Sequence, residues 1–238
     1  MKLSQQEVTY CYHYGSDLEV VNAARVSFDK MSEWEISGWK EEVDLDSRVI
    51  YDFPIHKLSD KDAKLIHYLA KHNHWSPFGH VGATVRVKAP IFVARQLAKS
   101  QVGLVWNEVS RRYVDNEPEF YFPDAWRGRA ENAKQGSGEV IGVDQNDRAD
   151  RNIQMVVALA LGAYQNLLSL EVAPEQARMV LPQNTMTEWI WTGSLAAWAR
   201  VYKLRSDPHA QLETQEIAHK LEEVLKPLFP ESWEALKN

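Results

Sequence analysis

The stretch VGATVRVKAPIFVARQLAKS, residues 81–100, decides how the fold is read. Val81, Ala83, Val85 and Val87 alternate with Gly82, Thr84 and Arg86, and a period of two predicts a half-buried strand. Pro90 then suits the first turn of a helix, where its missing N–H would have no partner anyway. That helix is predicted to run to about residue 100. Arg95, Gln96, Lys99 and Ser100 fall on one face of it, because residues three and four apart are one turn apart. Whether this strand-to-helix unit repeats along the chain sets the fold class.

On the N-terminal side, Ser59 and Asp62 form a capping-box pattern, with Ala63, Ile66, Leu69 and Ala70 at helical spacing behind it. The segment HNHWSPFGH, residues 72–80, ends that helix at Pro77 and Gly79. Residues 5–14 are β-branched and aromatic and predict a strand ending at Gly15; residues 17–27 predict a short helix. Residues 30–55 are mixed and read as irregular.

On the C-terminal side, residues 127–150 are rich in Gly, Asn, Gln and charge and read as a surface loop or insertion. Residues 151–170 predict a long helix, and a second helix around 175–181 ends near Pro182. A strand over 186–192 and a helix over 195–204 follow. The last helix carries Ile217, Leu221, Val224, Leu225 and Leu228 on one stripe. Strands and helices do not alternate regularly, so the expectation is α+β rather than a doubly wound sheet. With no interior boundary in view, residues 1–238 read as one domain.

The net charge of −6 argues against nucleic acid as the main partner, though a local basic pocket can still take a mononucleotide. No apolar run is long enough to span a bilayer, and residues 1–7 lack the basic start and apolar core of a signal peptide. The reading is a cytoplasmic protein with no membrane partner. The single cysteine, Cys11, excludes a disulfide framework within one chain. It is expected to be a partly buried strand residue rather than a nucleophile.

The densest chemistry lies in ARQLAKSQVGLVWNEVSRRY, residues 94–113. Arg95, Lys99, Arg111 and Arg112 stand among Gln96, Gln101, Asn107 and Ser110. Guanidinium groups bind phosphate through a planar fork of donors, and an amide can read a pyrimidine edge because it both donates and accepts. His72, His74 and His80 invite a metal reading, but their spacing matches no zinc signature and no acidic partner adjoins them. Arg178 alone would read as a surface charge. In KLRSDPHAQLETQ, residues 203–215, Arg205 and His209 flank a turn at Asp207–Pro208. No glycine-rich phosphate loop and no nucleophile elbow occurs.

Six segments taken in order resemble the flavin-dependent thymidylate synthase (ThyX) family: VVNAARVSF (20–28), HWSPFGH (74–80), VKAPIFVARQ (87–96), NEVSRRY (107–113), ARMVLP (177–182) and LRSDPHAQ (204–211). The segments RQLAKSQVGLVWNEVSRRYV and AENAKQGSGE are most similar to phage-borne members. The resemblance implies a mixed or antiparallel sheet flanked by long helices and a homotetramer with active sites at subunit interfaces. It implies FAD bound without a Rossmann motif, NADPH as reductant, methylenetetrahydrofolate as one-carbon donor and dUMP as substrate.

By motif matching, Gln96, Ser110, Arg112, Arg178 and Arg205 resemble dUMP contacts. Ser110 and Arg205 are the catalytic candidates, Arg205 through charge that develops on the uracil. His74, Ser76, Lys99, Ser100, Gln101, Glu108, Arg200 and His209 resemble flavin-side positions. One departure stands out. Lys99, Ser100 and Gln101 occupy the place of the family's Arg-His-Arg triplet, so one charge remains without its bidentate fork. That departure motivates two alternatives: a different one-carbon product such as hydroxymethyl-dUMP, or a non-catalytic nucleotide-binding relative.

Overall fold

The computed structural model describes residues 1–43, 50–130 and 136–237. In chain order its elements are β1 (Lys2–Leu3), β2 (Glu7–Tyr14), α1 (Asp17–Arg25), β3 (Glu35–Val43), β4 (Ile50–Lys57), α2 (Asp60–Lys71), β5 (Gly82–Pro90), α3 (Ile91–Leu97), β6 (Leu104–Glu108), β7 (Glu119–Phe120), α4 (Val143–Ser169), α5 (Pro174–Ala177), β8 (Met186–Ser194), α6 (Leu195–Arg205), α7 (Leu212–Leu225) and α8 (Pro230–Lys237). Strands and helices are mixed without regular alternation, as expected for α+β. The chain forms two compact units whose segments interleave: residues 1–12, 84–193 and 200–224 make the first, and 13–83, 194–199 and 225–238 the second.

The first unit is organised by a four-stranded sheet in the order β2-β5-β8-β6, with β6 antiparallel to β8. The period-two reading of β5 holds for the strand and fails for its solvent face. Thr84 is as buried as Val85, and Arg86 alone is exposed. Arg86 reaches solvent, whereas at Thr84, two residues before it, the face is closed and the Thr84 hydroxyl is hydrogen-bonded to that of Thr192 at 2.8 Å on the adjacent β8. Beside it, Trp106 of β6 stacks on Trp189 of β8 with ring centroids 4.0 Å apart, and Trp191 meets Trp106 edge-on. Trp189 and Trp191 are fully buried, and burying an aromatic of this size contributes about 2–3 kcal/mol.

α3 stops at Leu97, sooner than its sequence suggests, with Ala98 as its C-terminal cap. Pro90 precedes the helix instead of opening it, since it still belongs to β5. α4 starts at Val143, so the 127–150 loop is shorter than expected, and Arg127 bridges to Val140 across its base. Half of the AENAKQGSGE segment, residues 131–135, lies outside the described residues. α4 buries Val157 and Leu161 against Phe120, with Ile153, Phe122 and Leu181 packed around them.

The second unit packs α2 against α8 and α1. Ser59 caps α2 as its sequence predicts, accepting from the Asp62 N–H at 3.2 Å. Gly15 holds a positive φ of 72° between β2 and α1, and a side chain there would meet Val81 at 2.5 Å, so only glycine fits. Asp17 is buried and accepts from the backbone N–H groups of Glu231 and Ser232 at 2.8 and 3.0 Å, which starts α8. Neither α8 nor the β3–β4 antiparallel hairpin was expected from sequence, which had read residues 30–55 as irregular. Cys11 is exposed on β2 rather than partly buried.

Candidate functional site

The chain turns that end α3, β6 and α6 carry most of the expected site residues, all within the first unit. Gln96 and Arg205, separated by 109 residues in sequence, meet directly: an Arg205 Nη donates to the Gln96 backbone carbonyl at 2.7 Å. Arg205 Nε is buried and has no hydrogen-bond partner among the described residues. Burial pushes the Arg205 guanidinium below its ordinary pKa. A buried charged donor without a partner is costly to keep, and such groups concentrate where a ligand completes them.

The Gln96 side chain is held as tightly as its backbone. Its Nε2 donates to Gln211 Oε1 at 2.5 Å, and Thr214 donates to its Oε1 at 3.2 Å. Gln211 and Thr214 were not among the expected contacts. Both sit at the start of α7, more than a hundred residues from α3, so local spacing carries no sign of the contact.

A second group forms where β6 ends. Ser110 Oγ accepts from the Arg112 backbone N–H at 3.3 Å and from its Nε at 3.2 Å. Arg112 also lies over the Tyr113 ring at 5.0 Å, and both side chains are exposed. Glu108 and Arg178 line one cleft of about 220 Å³, together with Lys88, Arg111, Glu119 and Glu188. Thr187 donates to Glu108 at 2.6 Å and Trp106 Nε1 donates to it at 3.3 Å, so the carboxylate is fixed from two strands. Lys88 pairs with Glu119 at 2.5 Å, and Arg86 clasps Glu188 through two bonds at 2.6 and 2.9 Å. These anchors also escaped the sequence reading. Arg178 itself is exposed and donates to the Glu175 carbonyl at 3.2 Å.

The flavin-side candidates divide between the units. Lys99, Ser100 and Gln101 fall in the turn after α3, off the helix face that the sequence assigned to Lys99 and Ser100. An Arg200 Nη donates to the Val102 carbonyl of that same turn, so Arg200 sits beside the altered triplet. His209 is held by Asp207, whose carboxylate accepts from the His209 backbone N–H at 2.7 Å and faces its ring at 3.0 Å. These bonds, first the backbone and then the ring, hold the Asp207 carboxyl below its usual range. In the second unit, His74 and Ser76 border a groove with Tyr68 and Trp75, whose charged lining residues are Arg25, Lys30 and Lys61. Among the described residues no cluster suited to a metal ion occurs.

A family model described as thymidylate synthase complementing protein matches residues 10–231. A flavin-dependent thymidylate synthase of Thermosipho africanus is 34% identical over 221 residues, 93% of this chain and 86% of that protein. One from Thermus thermophilus is 37% identical over 223 residues, covering 94% of this chain and 72% of that protein. The chain belongs to the flavin-dependent thymidylate synthase family. Among solved structures, it is similar to PolB of Streptomyces cacaoi, described as a UMP/dUMP methylase. With PolB bound to 5-Br dUMP, the TM-score is 0.79 at 29% identity, covering 99% of this chain and 96% of that one. The complex of PolB with 5-Br UMP gives 0.80 at 28% identity.

A flavin on this chain would have to be held without a glycine-rich fingerprint, since the sequence has none, and the groups present suit that task. Within the first unit, Lys99 and Arg200 offer cationic donors, Ser100 a hydroxyl and Gln101 an amide. This set matches the anionic diphosphate and the polar ring edge of a flavin nucleotide.

Proposed function

We propose that this chain converts dUMP to dTMP, taking the carbon from methylenetetrahydrofolate and the reducing electrons from NADPH through FAD. The observation that carries the reading is the half-buried Arg205 side chain, fastened to Gln96 yet left with a buried Nε that has no partner among the described residues, inside a chain of this family. FAD, when bound, supplies hydride, which brings a methylene at the formaldehyde level to a methyl. The protein's own residues bind, orient and polarise. Arg205 stabilises negative charge on the uracil as its C5 becomes nucleophilic. Ser110 and Arg112, already hydrogen-bonded to each other, hold the nucleotide together with Gln96 and Arg178. Lys99, Ser100, Gln101, Glu108, Arg200, His209, His74 and Ser76 hold the flavin side.

We further propose one catalytic domain, a homotetramer and a cytoplasmic location. Among the described residues no helix is long and apolar enough to cross a membrane. Arg112 and Arg178 are exposed on the single chain, so a neighbouring subunit could reach their side chains.

The test is to incubate the protein with dUMP, methylenetetrahydrofolate, FAD and NADPH under low oxygen and to weigh the nucleotide product. A methyl gain that depends on FAD is expected. A hydroxymethyl gain would replace the proposed chemistry with the altered-product alternative. Unchanged dUMP from protein that still binds it would point to a non-catalytic relative.

A further inference from the structure

The geometry points to Glu213 as a positioning residue that sets which end of the Gln96 amide faces the nucleotide, acting through Gln211. The inference rests on the reading of Gln96 as a nucleotide contact.

A carboxylate only accepts hydrogen bonds, whereas a carboxamide donates from one end and accepts at the other. Glu213 is almost fully buried, with its side chain 6% exposed, and Arg127 donates to one of its oxygens at 2.6 Å. The other oxygen accepts from Gln211 Nε2 at 2.8 Å. Gln211 must therefore turn its NH₂ toward Glu213 and its carbonyl toward Gln96. Gln96 must in turn present its NH₂ to Gln211, as it does at 2.5 Å, and its carbonyl to Thr214 at 3.2 Å. The direction of two amides is thus dictated by one carboxylate two hydrogen bonds away. Arg127 is itself steadied, since its Nε donates to Ser137 at 2.7 Å.

The consequence for binding follows from what Gln96 has left. One N–H and one carbonyl lone pair remain after Gln211 and Thr214 are satisfied. A reversed amide would put an acceptor where the nucleotide meets a donor. A buried mismatch of that kind weakens binding by roughly 10-fold or more.

The experiment uses the full-length, flavin-loaded protein and measures the dissociation constant of dUMP by calorimetry, with KM and kcat alongside. Glu213→Gln keeps its carbonyl toward Arg127, which can only donate, and so turns its NH₂ toward Gln211 and reverses the direction. It is expected to raise the dissociation constant and KM by roughly 10-fold, with a smaller change in kcat. Adding Gln211→Glu to Glu213→Gln moves the carboxylate one step along the chain. That carboxylate accepts from Gln96 Nε2 and from the new amide at 213, whose carbonyl accepts from Arg127. Gln96 is held as before, and affinity is expected to return to within about 3-fold of the original. Should Glu213→Gln not fold, Gln211→Leu cuts the chain while sparing the Arg127–Glu213 pair, and the same weakening is expected.

Unchanged affinity in Glu213→Gln or Gln211→Leu, with Gln96→Ala weakened, would overturn the positioning role alone. So would a double variant no tighter than Glu213→Gln. Unchanged affinity in Gln96→Ala would overturn the nucleotide-contact reading on which the role depends.

Discussion

Replacing Arg205 with methionine separates the cost of a functional group from its contribution to the fold. The substitution keeps most of the side-chain length and removes the charge. Two opposing effects act on stability. The hydrogen bond to the Gln96 carbonyl at 2.7 Å is lost, and a bond made by a charged donor contributes about 1.5–3 kcal/mol. Against this, the buried Nε–H without a partner disappears, and such a group costs about 1–3 kcal/mol. The terms nearly cancel, so unfolding free energy should change by no more than about 1 kcal/mol. In a chain of this size that shifts the melting temperature by about 2–4 °C in either direction. Binding has no such compensation. Loss of a charged donor to the nucleotide should cost about 1.5–3 kcal/mol, a weakening of about 10- to 150-fold in the dissociation constant of dUMP. Thermal melting of the nucleotide-free protein and dUMP titration calorimetry measure the two effects separately. A melting temperature lowered by about 10 °C or more with dUMP affinity unchanged would refute the argument, since Arg205 would then hold α6 to α3 and nothing else.

Ser110→Ala should lower kcat/KM by at least about 10-fold with little change in melting temperature, because Ser110 is only half-buried and, among the described residues, its side chain bonds only Arg112; equal turnover would remove its role. Asp62 should govern acid stability in the second unit. Burial pushes its carboxyl up, but hydrogen bonds from Arg25, Ser59 and Ser32 outweigh this and hold it below its ordinary value of 3.8. A carboxylate with a depressed pKa in the folded state stabilises above its unfolded value and loses that contribution as pH falls through the folded one. The stability advantage of the unmodified protein over Asp62→Asn should therefore shrink between about pH 5 and pH 3 in denaturant melts. A gap that stays constant over that range would refute the assignment.

Local signals account for what the sequence reveals. α2 was legible from Ser59 and Asp62 because a cap and its helix lie within four residues of each other. The strand character of β5 was legible from its period of two, and α1 and α6 fall where helices were expected, over 17–27 and 195–204. Failures occurred where partners at a distance decide. β5 reads as amphipathic, yet Thr84 is buried with its hydroxyl bonded to that of Thr192, a partner 108 positions away on β8. The β3–β4 hairpin escaped notice because Pro54 and mixed charges spoil any alternation, and register between strands is a pairwise property. α8 depends on Asp17, more than two hundred residues away, to satisfy its first N–H groups.

The candidate site divides along the same line. The sequence by itself indicated the family, through six segments in order, and supplied the residue types that the proposed chemistry needs, because arginines and amides suit phosphate and pyrimidine recognition. It also showed the altered Lys99–Ser100–Gln101 triplet. Tertiary structure alone brought Gln96 to Arg205, left Arg205 Nε without a partner among the described residues, and placed Arg200 on the turn that carries the triplet. It also ran the chain of donors and acceptors from Arg127 through Glu213 and Gln211 to Gln96. A hydrogen bond joins groups that are close in space and fixes which one donates; neither distance nor direction is written in residues that stand a hundred positions apart.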